Sequence, residues 1–441
     1  MKLIRALTFL IITSILLPAC VGFKTKISQN QLKKSLEKSA TFNSHLTGFA
    51  LYDPLDSNFL YTWNENKYFT PASNTKLLTF YAGLTLLRDS VPALKYKLKG
   101  DSLFFTGTGD PTFLHPDFED QPIFEMLKDT THSLHYVESV LEDEKFAPGW
   151  SWEDYEYYFQ PERSAFPIYG NTIRYVYDSI QDQFHVTPSF FADFAEIRPI
   201  DSEKVVPNRL KRTNIFSFAP DSGRSTYKNA VPFLTSDELT VALLEDTLKR
   251  KIHWVEDFVF DSSKLAYSRP VNQLFAFMLK RSDNLAAEQI LYLCASEMRM
   301  PLAADPILRF TQNENLRISP YPPIWKDGSG LSRYNLMTPK TMIGVLNYIS
   351  TEIPIDEMKQ LLAVGGVDGT LKNWYKPLDE EAPYVFAKTG TLSNIHNLTG
   401  VIRTKSGRDL FVSFMNNNYP SSSRPVKLEM EKVMRLIYER F

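Results

Sequence analysis

Cysteine is almost missing from this chain. Only Cys20 and Cys294 occur in 441 residues, so no disulfide framework is expected to hold it together. Charge of one sign is missing too: the net charge of −2 gives no electrostatic reason to propose a nucleic-acid partner. The apolar stretch Ala6 to Leu17 is too short to span a bilayer comfortably. There is no Gly-x-Ser-x-Gly elbow, which argues against an α/β-hydrolase. His132 and His135 have no companion cluster in the sequence and are expected at the surface rather than on a metal. Gly107-Thr108-Gly109 lacks the rest of a phosphate-binding fingerprint and reads as a turn. No internal repeat or low-complexity tract is present.

What is present describes a globular protein. Hydrophobic residues make up 43% of the chain and charged residues 23%. The length calls for two or three domains. Lys2 and Arg5, the apolar run and Leu17-Pro18-Ala19-Cys20 form an export leader over residues 1–19. A cysteine after a small residue resembles a bacterial lipoprotein signal, which implies lipidation at Cys20, a membrane anchor and work outside the cytoplasm. Ordinary cleavage beside an incidental cysteine is the alternative. Cys294, within Leu291-Tyr292-Leu293-Cys294, is expected to be a small buried hydrophobe.

The pattern predicts a helix over Ile27 to Thr41, then a hairpin of Thr47 to Tyr52 with Phe59 to Trp63. A helix follows from Ser73. Strands are expected at Leu103 to Thr106, Ile173 to Tyr177, Gln183 to Val186 and His253 to Phe260, with a helix at Ser236 to Lys251. Helices return at Pro270 to Lys280 and Asn284 to Cys294. Tyr384 to Thr389, Leu398 to Thr404 and Leu410 to Met415 form a meander. A closing helix carries the stripe Val426, Met430, Val433 and Ile437. The fold class is α+β, with residues 99–267 a β-rich region inserted into a domain made of 20–98 and 268–441.

Three short motifs carry chemistry. Ser73 and Lys76, in Ser-x-x-Lys, lie three apart on one helical face. A serine hydroxyl needs a base to become a nucleophile, and a desolvated lysine can supply one. The pattern recurs at Ser35/Lys38 and Ser225/Lys228, so it is not specific alone. Ser282-Asp283-Asn284 opens a helix, where a Ser or Asp cap is expected anyway. Lys388-Thr389-Gly390-Thr391 ends a strand, and Lys-Thr-Gly occurs once. Lysine and threonine there can hold a carboxylate, glycine admits a close backbone, and the next N–H can donate to an oxyanion.

The ordered set, with Ser-Asp-Asn in the middle, resembles the combination found in penicillin-binding proteins and class A β-lactamases. The chain resembles the class C low-molecular-mass penicillin-binding proteins, the D-alanyl-D-alanine carboxypeptidase/endopeptidase family. Thr106 to Thr112, Pro148 to Trp152, Asp327 to Arg333 and Gly366 to Leu371 support the resemblance, while Asp201 to Asn229 matches nothing in it. The resemblance implies a β-lactamase/transpeptidase-like domain, an antiparallel sheet with helices, that acylates Ser73 at a D-alanyl carbonyl. Lys76 is then the base, Ser282 a proton relay and Asn284 a holder of the substrate amide. Lys388 and Thr389 bind the terminal carboxylate, and Lys388 helps keep Lys76 neutral. Gly390 shapes this edge, and the N–H groups of Ser73 and Thr391 hold the oxyanion. No metal or other cofactor is required. Peptidoglycan stem peptides are the implied substrates and β-lactams the implied inhibitors. A β-lactamase-like hydrolase and a non-catalytic cell-wall-binding protein on the same fold remain the alternatives.

Overall fold

The computed structural model describes residues 27–178, 180–197, 209–218, 226–318, 320–377 and 382–441. The leader, the Cys20 site, Ser225 and parts of the stretch Asp201 to Asn229 lie outside the described residues. The chain divides into two compact units. One runs to Asn74 and takes in Ile318–Pro323 and Leu336–Phe441; the other holds Thr75–Arg317 and Ile324–Asn335.

In the first unit, strands from both ends of the chain pair into one antiparallel sheet. Its order is Ala363–Val364, Val385–Leu392, Ile395–Arg403, Asp409–Asn417, Leu46–Asp53, Asn58–Trp63. The expected hairpin and meander are therefore parts of a single sheet, joined where Phe49 lies opposite Phe414. Strand alternation sorts the residues of Ile395–Arg403: Leu398 and Ile402 enter the hydrophobic core, while Asn397 and Thr399 project from the opposite face. The closing helix Ser423–Arg440 buries Val426, Met430, Val433 and Ile437 in that same core, as its stripe predicts. Leu32 and Leu36 of the helix over 27–37 join them. Each such side chain contributes roughly 1.5–3 kcal/mol by leaving water.

The second unit has a five-stranded sheet in the order Ile252–Val255, Ser133–Val137, Ser102–Gly107, Ser90–Lys99, Lys264–Pro270. It is mixed. Ser133–Val137 runs parallel to both of its neighbours. A three-stranded antiparallel sheet of Thr226–Pro232, Thr172–Asp178 and Gln183–Thr187 lies in the same unit. The strand expected over His253 to Phe260 ends early, at Val255. Its partner Ser133–Val137 ends at Val137, so residues beyond it have no ladder to extend. The helix Asp237–Leu248 is capped by the Ser236 side chain and stops at Lys249, whose φ is +52°.

The helices Lys76–Leu86, Val271–Arg281, Asn284–Glu297 and Ala304–Phe310 belong to this second unit, with Phe80 against Phe275 at 5.1 Å. The strand Ser90–Lys99 pairs with Lys264–Pro270, which runs directly into the helix Val271–Arg281. Cys294 is fully buried on the helix Asn284–Glu297, and burial pushes its thiol pKa up. Among the described residues no helix is long and apolar enough to cross a membrane.

Candidate active site

The boundary between the units falls inside the Ser-x-x-Lys motif, between Asn74 and Thr75. In the first unit, Ser73 sits in the 3-10 turn Ala72–Thr75 and is partly exposed among buried neighbours. Ala72 has a φ of +49°, a left-handed conformation that non-glycine residues rarely adopt unless surrounding contacts impose it.

Those contacts come from the sheet. Asn397 Nδ2 donates to the carbonyls of Thr70 and Pro71, both at 2.9 Å. The Thr70 N–H donates to Asn417 Oδ1 at 2.8 Å, and Asn74 Nδ2 donates to Thr399 Oγ1 at 2.8 Å. The polar face of Ile395–Arg403 thus clasps the turn that carries Ser73. Gly390 permits the close approach: a Cβ there would lie 2.3 Å from the Pro71 oxygen and 2.9 Å from the Asn74 nitrogen. The turn that carries Ser73 is consequently packed against the Lys388–Thr391 strand end within the first unit.

On that strand Lys388 is fully buried, and its Nζ donates to the Thr389 carbonyl at 2.8 Å. Thr389 Oγ1 donates to Thr370 Oγ1 at 2.8 Å, which gives the Gly366 to Leu371 segment a place beside the motif. Thr391 Oγ1 shares a hydrogen with His396 Nδ1 at 2.8 Å. Burial holds that imidazole neutral, its pKa pulled down to about 3. Thr370, Asn397 and His396 were not singled out by motif reasoning; for His396 and Asn397 a polar type on the largely apolar strand Ile395–Arg403 was the available signal, while Thr370 sits in the short 3-10 helix Gly369–Leu371.

The second unit gathers the basic half. Lys76 is fully buried at the start of the helix Lys76–Leu86, and its Nζ donates to Asn284 Oδ1 and to the Ser329 carbonyl, both at 2.6 Å. Burial pulls the amine pKa down to about 8, against Asp327, Asp283 and Glu288, which favour the ammonium. Two carbonyl acceptors thus fix the amine in place, and burial brings its titration toward neutral pH.

Ser282 closes the helix Val271–Arg281 with a φ of +60°, and Asp283 caps the next helix by accepting from the Ala286 N–H at 2.8 Å. Asn284 is mostly buried, and both ends of its amide are engaged. Oδ1 takes the Lys76 hydrogen, while Nδ2 donates to the Phe159 carbonyl at 2.7 Å. Its shown contacts position Lys76, a role motif spacing did not supply.

Two buried carboxylates beside Lys76 were also missed. Asp327 accepts from the Gly330 N–H at 2.9 Å, the Ser332 N–H at 2.7 Å, Asn335 Nδ2 at 2.7 Å and Trp150 Nε1 at 2.8 Å. It ties the loop 327–335 into one body, and explains why Trp150 and Asp327 to Arg333 stood out. Gly328 lets that loop reach the helix Asn284–Glu297: a Cβ would lie 2.4 Å from the Ala287 oxygen. Glu288 accepts from the Ser329 N–H at 2.7 Å, and burial pushes its pKa up to about 7. The signal for Glu288 was its i,i+4 position after Asn284, on the same helical face. His132 and His135 join no group of three or more possible metal ligands among the described residues.

Comparison with known proteins adds to this geometry. A family model described as the D-Ala-D-Ala carboxypeptidase 3 (S13) family matches residues 28–197 and 231–440, passing over the segment that includes Asp201 to Asn229. The chain is 33% identical over 159 residues to the D-alanyl-D-alanine carboxypeptidase DacB of Haemophilus influenzae, covering 34% of this chain and 32% of that protein. It therefore spans about a third of the length of that relative. The penicillin-sensitive carboxypeptidase A of Dictyostelium discoideum is 25% identical over 479 aligned positions, covering 91% of this chain and 89% of its own length. Penicillin binding protein 4 (dacB) of Haemophilus influenzae superposes with a TM-score of 0.72 at 20% identity, over 93% of this chain and 99% of that one. Its complex with a β-lactam superposes with a TM-score of 0.66 at 19% identity, over 93% and 99%. These two structures support the α+β penicillin-binding fold.

Proposed function

Because the chain belongs to the D-Ala-D-Ala carboxypeptidase 3 (S13) family, we propose that it is a serine D-alanyl-D-alanine carboxypeptidase, endopeptidase or both, working on peptidoglycan stem peptides. Ser73 Oγ attacks the carbonyl carbon of the D-alanyl bond while its proton passes to Lys76 Nζ. The N–H groups of Ser73 and Thr391 receive the oxyanion, and Lys388 and Thr389 receive the terminal carboxylate. As the C–N bond breaks, the proton held on Lys76 is returned through Ser282, which accepts one proton as it passes its own to the leaving amine, and an ester remains on Ser73. Water then attacks the ester, releasing the shortened peptide and restoring the hydroxyl. A β-lactam presents a similar carbonyl and would acylate the same oxygen.

One observation carries the reading: a fully buried Lys76 amine, lowered to about 8 and held by two carbonyl acceptors. The test is intact mass after incubation with penicillin. One drug mass is expected on the wild type and none on Ser73→Ala. Rapid drug turnover without an adduct would favour a β-lactamase instead, and folded protein that does neither would sink the catalytic reading.

The inserted-region reading of 99–267 is supported by the antiparallel pairing of Ser90–Lys99 with Lys264–Pro270, which brings the two ends of that segment together. Export with lipidation at Cys20 is a further part of the proposal, resting on the leader sequence. Mature protein from a bacterial host is expected to start at Cys20, carry acyl mass there and partition into detergent. Cys20→Ser protein should lose that mass and stay in the aqueous phase; acyl-free wild type would remove the anchor.

A further inference from the structure

We propose that Glu288 is a positioning residue that holds the Ser329 carbonyl against Lys76 and sets the pH range over which Lys76 acts as a base. The inference rests on the proposed serine acylation and adds a residue outside its three motifs.

The geometry is a relay of fixed groups within one unit. Glu288 stands one turn after Asn284 on the helix Asn284–Glu297, so both side chains address the same neighbourhood. Asn284 reaches Lys76 directly at 2.6 Å. Glu288 reaches it through the backbone: the carboxylate takes the Ser329 N–H at 2.7 Å, and the carbonyl of the same residue takes the Lys76 hydrogen at 2.6 Å. A peptide loop rich in glycine would otherwise let that carbonyl swing. Asp327 secures the loop on the other side of Ser329, through the N–H groups of Gly330 and Ser332.

The charges facing Glu288 are few and defined. Asp327 of the loop opposes its ionisation, while Arg163, whose Nη1 lies 3.6 Å from Oε2, favours it. Arg163 is shared with Asp143, at 3.4 Å, and its guanidinium lies over the ring of Tyr292, one turn further along the Glu288 helix. Lys76 itself responds to Glu288, which favours the ammonium form. Burial pushes the Glu288 pKa up to about 7. Above that pH the carboxylate grips the Ser329 N–H more strongly and also stabilises a protonated Lys76. The sign follows. Removing the charge while keeping an acceptor should let Lys76 lose its proton at lower pH.

Glu288→Gln and Glu288→Ala separate position from charge. Acylation rates with penicillin, read by intact mass from pH 5.5 to 10, would be compared with the wild type; melting curves would report folding. Glutamine retains an oxygen for Ser329, so a near-normal plateau is expected, with the rising limb moved to lower pH by roughly half a unit or more. Alanine removes the acceptor, and the plateau should fall about tenfold or more while penicillin binding before acylation changes little. A Glu288→Gln profile superimposed on the wild type would overturn the inference, as would a normal plateau for Glu288→Ala. Because the glutamine variant is nearly isosteric, the test stands even where the alanine variant fails to fold. Failure of the wild type to acylate at Ser73 would instead overturn the proposed function, so the two failures are distinct.

Discussion

Replacing Lys76 by methionine is expected to slow acylation of Ser73 by on the order of 10²–10⁴-fold, the usual range for losing a positioned general base. The protein should nevertheless stay folded. Bringing the amine pKa from 10.5 to about 8 by burial means that the native state bears a cost of about 3 kcal/mol at neutral pH to keep this lysine where it is. Methionine fills similar volume and removes that cost. It also leaves Asn284 Oδ1 and the Ser329 carbonyl without their donor, at roughly 1–3 kcal/mol each. These effects nearly cancel, so the melting temperature should shift little while the rate collapses. A methionine variant that acylates within tenfold of the wild type would remove Lys76 from the base role.

The same lysine predicts the direction of the pH dependence. Its folded pKa is depressed, so the native state releases the proton near pH 8 while the unfolded chain holds it to about 10.5. Acylation should rise with pH through about 8 and then level. Over the window from about 8 to 10.5 the unfolded state binds more protons than the native one. The contribution of this group to stability therefore increases with pH across that window. A rate that falls as pH rises from 7 to 9 in stable protein would contradict the assignment.

How much of this was legible in the sequence depends on where each signal resides. Local periodicity was enough for the closing helix, because Val426, Met430, Val433 and Ile437 alternate with charged residues at helical spacing. It was enough for the meander strands, and Asp283 was visible as a cap. Periodicity carries no information on partners. The parallel pairing of Ser133–Val137 with its neighbours, and the early end of Ile252–Val255, depend on strands far apart in the chain. For the site, the motifs named the nucleophile and its ordered companions but not what holds them. Asn397 and Thr399 clasp the Ser73 turn from more than 300 residues away, and a strand pattern gives no hint of that use. The motif named Asn284 as a holder of the substrate amide but gave no hint that its Oδ1 accepts from Lys76 and its Nδ2 donates to the Phe159 carbonyl. Asp327 stood out only as the first residue of a segment that carries the family resemblance, with no role attached to its carboxylate. Its burial and its set of donors show one.

That donor set makes the second large effect specific. Asp327→Asn is expected to destabilise almost as much as Asp327→Ala, by about 3–5 kcal/mol, although asparagine is nearly isosteric. The reason is the direction of every hydrogen bond. One carboxylate oxygen receives the Gly330 N–H and Asn335 Nδ2; the other receives Trp150 Nε1, the Ser332 N–H and, at 3.3 Å, the Ser329 hydroxyl. An asparagine must place an NH₂ where one of these oxygens was. Either rotamer then sets donors against at least two donors at a fully buried position, with no solvent to relieve them. Urea unfolding would measure the change through a lower midpoint at unchanged slope. Loss of the loop's anchor should also slow acylation, since the Ser329 carbonyl no longer has a fixed place beside Lys76. A surface aspartate before glycine would tolerate asparagine within about 0.5 kcal/mol. An Asp327→Asn protein with wild-type midpoint and wild-type acylation would therefore show that the loop 327–335 is held by something other than this carboxylate.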